Sequence, residues 1–254
     1  KLEKAINKNT KAIIVTHLYG NLCEMDEILE IGKKNSIPII EDSAEALGSI
    51  YNKKRAGSMG EFAVFSFHGT KTLTTGEGGM LVTNNKNLHE KITTLNNHGR
   101  NLNEKKQFWS EIIGYKFKMS NLDAALGCAQ LNRIEELVKK KRQILKDYKF
   151  NFNDNNKLSM NFEGISNKIG AWMPTLVFDK SLNIEKENIL KYLNKIGINA
   201  RPFFYPLSSL PMFAFCKNNA ISYDISNRAI NLPSYHEMSK LDVDFISNEI
   251  LKYI

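Results

Sequence analysis

Two short segments hold the residue types from which covalent chemistry could be assembled. One is Glu41-Asp42-Ser43-Ala44-Glu45. The other runs Phe65-Ser66-Phe67-His68-Gly69-Thr70-Lys71 and continues through Thr72 to Gly79. A lysine among small residues and hydroxyls can have its pKa lowered and act as an imine-forming nucleophile. Glycines let a backbone approach a bulky ligand, and Ser or Thr hydroxyls can bind a phosphate. The same composition also describes a surface turn that happens to contain a lysine. Asp42 is equally two-sided. It follows a strand pattern, where open α/β sheets place their ligand sites, but Asp is also a favoured helix N-cap. A Walker phosphate loop is excluded, because Lys71 precedes the dense glycines and the G-x-x-x-x-G-K-[ST] order is absent.

The elements that must position these residues follow from the apolar pattern. Ala12 to Thr16 and Ile37 to Glu41 read as buried strands. Between them Met25 to Asn35 carries Ile28, Leu29 and Ile31 at helical spacing. Strand, helix, strand over this length is the βαβ unit of a parallel sheet. Further strands are predicted at Phe62 to Phe67 and Met80 to Thr83, with a glycine-rich turn between them. A long helix is predicted from Ser120 to Tyr148, and an Asn-rich linker or surface loop from Asn151 to Lys157. The remainder reads as a smaller α+β unit. Its strand lies near Trp172 to Phe178, its first helix near Ile184 to Ile196, an extended segment near Ile198 to Phe204, and a last helix from about Leu241.

Composition narrows the class. The 254 residues are 42% hydrophobic and 24% charged, as in ordinary globular enzymes, with a net charge of +8 that would suit anionic ligands such as nucleotides. The one dense basic run, Lys139 to Arg142, falls within a helical pattern and has no reading motif beside it, so no nucleic-acid partner is expected. Cys23, Cys128 and Cys216 form no C-x-x-C pair, which argues against a disulfide framework or a metal site and suits a reducing, cytoplasmic setting. No stretch approaches the ~18 apolar residues of a membrane span.

The two segments gain meaning together. A pyridoxal phosphate (PLP) enzyme needs a lysine for its imine and a carboxylate against the pyridinium nitrogen. Here the carboxylate ends one strand and the lysine follows a later one. The run EDSAEALGS…FSFHGTKTLTTGEGGM resembles the signature of the DegT/DnrJ/EryC1/StrS aminotransferases, which act on nucleotide-linked keto-sugars. GYKFKMSNLDAALGCAQL and ARPFFYPLSSLP resemble two further motifs of that family, in the same order along the whole chain. The resemblance implies an α/β, fold type I (aspartate aminotransferase-like) architecture: a mostly parallel sheet flanked by helices, then a small C-terminal α+β domain. The boundary is expected near 140, giving a PLP-binding domain over 1–140 and a small domain over 141–254.

By motif position the resemblance makes Lys71 the Schiff-base lysine and proton shuttle, and Asp42 the partner of the pyridinium nitrogen. Glu45 falls near the ring hydroxyl and Ser66 at the cofactor phosphate. His68 is expected to help position the sugar. A related group of 3-dehydratases has histidine in place of the lysine, and Lys71 argues against that branch. Lys116 stands where many relatives have Asn, in a loop that reaches the neighbouring subunit's cofactor phosphate; a solvated loop lysine is the alternative. Arg201 is a candidate for nucleotide-sugar contact, or an ordinary surface arginine. The implied reaction moves an amino group from glutamate to the 4-keto carbon of a 6-deoxy sugar, GDP-4-keto-6-deoxymannose first, in a homodimer serving O-antigen or other surface-glycan synthesis. The rival expectation is a non-catalytic regulator or inactive remnant of the same fold. Relatives carry a further segment before the part aligned with Lys1, which supplies a Gly-Thr phosphate turn and a ring-stacking aromatic. The chain is therefore expected to be the C-terminal part of a longer polypeptide.

Overall fold

Alternating strands and helices open the chain. After the short helix α1 (Leu2–Ala5) come β1 (Ile13–Thr16), α2 (Met25–Lys34) and β2 (Ile39–Asp42) in a computed structural model that describes residues 1–254. Helix α2 has Asp26 and Glu27 in its first turn and Lys33 and Lys34 in its last, which suits the helix dipole. It lies close on β2: a Cβ at Gly32 would come within 2.7 Å of the Ile39 side chain. The hairpin β3 (Ile50–Tyr51) and β4 (Lys54–Arg55) precedes β5 (Phe62–Ser66) and β6 (Gly79–Val82). The main sheet has the order β1-β2-β5-β6. Its first three strands are parallel and β6 is antiparallel to β5, as the predicted mostly parallel sheet requires. Ile13, Val15, Met25, Ile39 and Tyr51 form the core of this part.

Helices α3 (Lys86–Asn96), α4 (Asn121–Leu131) and α5 (Ile134–Phe152) follow. The predicted single helix from Ser120 to Tyr148 is thus two. The Arg133 amide bonds back to the Gln130 carbonyl at 2.9 Å, a three-residue closure that ends the i→i−4 ladder of α4. The expected linker at Asn151 is also corrected, because α5 runs on to Phe152. Asn151 Nδ2 donates to Asp244 Oδ1 (2.8 Å) and Ser247 Oγ (3.2 Å), and these bonds outweigh the weak helix propensity of Asn. Strands β7 (Leu158–Met160), β8 (Asn167–Lys168) and β9 (Thr175–Phe178) come next. They are followed by α6 (Lys186–Lys195), β10 (Arg201–Pro202), α7 (Ala220–Asn227), β11 (Ala229–Asn231) and α8 (Lys240–Tyr253).

Two units result, Lys1–Leu137 with Gly164–Gly170, and Val138–Glu163 with Ala171–Ile254. The segment 164–170 returns to the first unit because β8 pairs with β3 and the Gly170 amide donates to Ser49 Oγ at 2.8 Å. The second unit has an antiparallel sheet of order β10-β11-β9-β7, with a core of Tyr148, Phe178, Ile189, Leu193, Ile230 and Ile250. One lysine of the dense basic run, Lys141, is buried there with Nζ on the Ser234 carbonyl. No helix is long and apolar enough to cross a membrane.

Candidate active site

The parallel strands end at Thr16, Asp42 and Ser66, and register places Thr16 opposite Asp42 and Asp42 opposite Val64. Side chains alternate along a strand, so the adjacent acids of β2 go to opposite faces. Glu41 is fully buried. Its Oε1 accepts from the Met59 and Gly60 amides (both 2.6 Å), and its Oε2 from the Gly57 amide (2.8 Å) and His17 Nε2 (3.2 Å). The Cys23 amide donates to His17 Nδ1 at 3.4 Å, which assigns the ring proton to Nε2. Burial alone would raise the Glu41 pKa. The His17 bond and the three amides outweigh it and hold the carboxyl below its ordinary value.

Asp42 turns the other way. Its Oδ1 accepts from the Ala44 amide (3.2 Å), and Thr16 Oγ1 donates to its Oδ2 (3.5 Å). No helix starts here: residues 43–49 form successive turns, closed by Ala46 N to Ser43 O (3.0 Å) and Ser49 N to Ala46 O (2.9 Å), so Asp42 is no N-cap. Three residues on, Glu45 Oε2 accepts from the Tyr19 amide at 2.7 Å. Tyr19 has φ 54°, a left-handed conformation uncommon for a bulky side chain. The turn that carries it is fastened by Ser49 Oγ, which donates to the Gly20 carbonyl at 2.8 Å.

Lys71 hangs from the β5–β6 connection. That loop is tied by Lys71 N to His68 O, Phe67 N to Gly78 O and Thr75 N to Phe67 O, each 2.9 Å. The Gln130 side chain clamps both backbone groups of Thr74: Oε1 accepts from its amide at 3.1 Å and Nε2 donates to its carbonyl. Lys71 Nζ lies 3.5 Å from Glu45 Oε1, with the two side chains only 13% and 12% exposed. Burial pulls the lysine pKa down, opposed by Glu45 and more weakly by Asp42. Burial likewise pushes Glu45 up, opposed by the Tyr19 amide and Lys71.

Lys71, Asp42 and Glu45 are therefore brought together. Ser66 ends β5 half-buried, and its Oγ accepts from the His68 amide at 3.3 Å. His68 is exposed and held within its own loop, with Nδ1 3.0 Å from Thr70 Oγ1. Lys116 is exposed, and its backbone bridges Asn97. Arg201 lies exposed on β10 of the second unit. Sequence reading missed Glu41, His17, Tyr19 and Gln130. Only Gln130 had a visible signal, as a lone amide in the otherwise apolar end of α4.

The donor set fits PLP: a half-buried amine and a carboxylate at the carboxyl edge of parallel strands. Beside them in sequence, Ser43 Oγ and Thr72 Oγ1 are buried hydroxyl oxygens with no hydrogen-bond partner. Fold and site together define a PLP-dependent enzyme of fold type I. Residues 1–251 match the DegT/DnrJ/EryC1/StrS aminotransferase family. The chain is 37% identical to GDP-perosamine synthase of Escherichia coli O157:H7, covering 99% of this chain and 68% of that protein. It is 34% identical to GDP-perosamine synthase of Caulobacter vibrioides, covering 96% and 66%. Among solved structures it resembles Helicobacter pylori PseC, an aminotransferase of pseudoaminic acid biosynthesis. The TM-score is 0.91 at 31% identity, over 99% of this chain and 68% of that one. The PLP form of Streptococcus pneumoniae Spr1654 gives a TM-score of 0.88 at 26% identity, over 97% and 69%. The chain belongs to the DegT/DnrJ/EryC1/StrS aminotransferase family. It is of the sugar-aminotransferase type, and PLP is its cofactor. It spans 66–69% of the length of the three GDP-perosamine synthases it matches.

Proposed function

We propose that the protein transfers an amino group from glutamate to the 4-keto carbon of a nucleotide-linked 6-deoxy sugar, with GDP-4-keto-6-deoxymannose as the first candidate. The observation that carries this reading is Lys71, half-buried at 3.5 Å from Glu45 and within the field of Asp42, in a chain whose relatives include GDP-perosamine synthases. A Helicobacter pylori relative at 31% identity is a UDP-4-amino-4,6-dideoxy-N-acetyl-beta-L-altrosamine transaminase, which keeps UDP-sugars as the comparison substrates.

Bound PLP supplies the carbonyl and the electron-withdrawing ring of the reaction. Lys71 supplies an amine whose burial favours the neutral, nucleophilic form, and the same Nζ can take up and return the proton that moves during transfer. Asp42 would set a negative charge against the pyridine nitrogen, and Ser66 would offer a hydroxyl to the phosphate. His68 and Arg201 are assigned to the sugar-nucleotide. The working unit is a homodimer in the cytoplasm, with Lys116 directed to the partner's cofactor phosphate. In support, Ile113, Phe117 and Leu122, close in sequence to Lys116, are 94%, 75% and 84% exposed, an apolar stretch that a second copy would cover. The product would feed surface-polysaccharide assembly.

The test incubates the full-length protein with glutamate and the GDP-, dTDP- and UDP-linked 4-keto-6-deoxy sugars, reading amino-sugar and 2-oxoglutarate by mass spectrometry. Amination of the GDP-sugar is expected to be fastest. Glutamate-independent behaviour with all three would overturn the proposal.

A further inference from the structure

Both carboxylate oxygens of Glu45 have a partner. One oxygen is fixed by the Tyr19 amide at 2.7 Å, delivered by a turn in which Tyr19 takes a left-handed conformation and which Ser49 fastens at Gly20. The other oxygen lies 3.5 Å from Lys71 Nζ. Asp42 also acts on this lysine, more weakly, and its oxygens accept from the Ala44 amide and the Thr16 hydroxyl. The nearby His17 ring is spent on Glu41.

We infer that Glu45 is the proton-holding partner of Lys71: its carboxylate holds the lysine as the ammonium and takes that proton when Lys71 must react. This rests on Lys71 being the reactive amine. The exchange balances within the pair. An N–H bond of the ammonium breaks, its electron pair stays on Nζ, and the proton forms an O–H bond on Oε1, turning ammonium and carboxylate into amine and carboxylic acid. The geometry suits both states. In each, Oε2 remains an acceptor for Tyr19, while Oε1 either accepts from the ammonium or donates to the amine. Both side chains are only 13% and 12% exposed, and burial favours the neutral pair while their attraction favours the charged one.

Glu45→Gln keeps an oxygen for the Tyr19 amide and removes the charge. The full-length protein without cofactor is labelled by competitive acetylation over a pH series, and the Lys71 peptide is read by mass spectrometry. The labelling midpoint of Lys71 is expected to fall by about one pH unit in Glu45→Gln, as loss of a close opposite charge implies. Other lysines serve as internal references and should not move. If Glu45→Gln fails to fold by circular dichroism, Glu45→Asp withdraws the same charge by one methylene and should give a smaller fall. An unmoved or higher Lys71 midpoint in the folded variant overturns the inference. The outcome is separable from the proposed reaction. Absence of sugar amination by the wild type would remove that reaction and leave the midpoint comparison standing, whereas amination with an unmoved midpoint would remove only the present inference.

Discussion

Replacing Glu41 with Gln tests how the end of β2, and with it Asp42, is held. Glu41 has no solvent exposure and accepts four hydrogen bonds, from Gly57, Met59, Gly60 and His17. An amide offers one oxygen to two of these donors and turns an NH2 group on the others. His17 cannot relieve the conflict by moving its proton, since Nδ1 already accepts from Cys23. Each buried donor left unmet costs about 1–3 kcal/mol, so two put the loss on the order of 4 kcal/mol. That is a large part of the ~5–15 kcal/mol by which folded proteins are usually stable. The assay is urea unfolding of the full-length protein at a series of pH values. The acid limb carries a second signature. A carboxyl held below its ordinary value contributes stability that is present above 4.5, its unperturbed value, and is lost as pH falls through the folded value. Wild type should therefore lose stability below about pH 4.5 more steeply than Glu41→Gln. A loss under ~1 kcal/mol at pH 7, or identical acid limbs, would show that Glu41 does not hold the end of β2 in this way.

Three other outcomes are expected. Gln130→Leu removes both bonds to Thr74 and loosens the Lys71 loop, so PLP affinity should drop ~30-fold at about 1 kcal/mol per bond; titration of PLP into the variant checks this, and unchanged affinity counts against the clamp. Asp42→Asn keeps the acceptor for Ala44 but removes the charge, and kcat should fall ~100-fold with the cofactor still bound; a loss of only a few-fold would deny Asp42 its electrostatic role. Burial brings the Lys141 pKa down to about 8, so the unfolded chain holds this proton to higher pH than the folded one, and stability should rise between pH 8 and 10.5. Lys141→Met should abolish that rise, on the order of 3 kcal/mol, in denaturation curves at pH 7 and 10; parallel curves for the two proteins would contradict it.

The chemistry was more legible in the sequence than its supports. Lys71 and Asp42 stood out because each follows a strand pattern, and Glu45 through its place in the family motif; the parallel pairing of β1, β2 and β5 delivers strand ends to one edge. Motif position singled out Asp42 but gave no role to its neighbour Glu41, whose four buried hydrogen bonds come from residues outside the motif. Tyr19 and Gln130 act across 26 and 56 residues of chain, through an amide aimed by an unusual φ and a side chain bonded to another segment's backbone. Local pattern does not carry the first, and marks the second only as a lone amide at an apolar helix end. The break at Asn132 and the extension of α5 through Asn151 likewise depend on hydrogen bonds that periodicity does not report.

Covalent capture shows directly whether Lys71 is the amine that holds the cofactor. The full-length protein is loaded with PLP, reduced with borohydride, digested and mapped by mass spectrometry, beside Lys71→Ala treated identically. The reduced cofactor is expected on the Lys71 peptide alone, with neither capture nor sugar amination in the variant. Cofactor on a different lysine, or amination by Lys71→Ala at the wild-type rate, would contradict it.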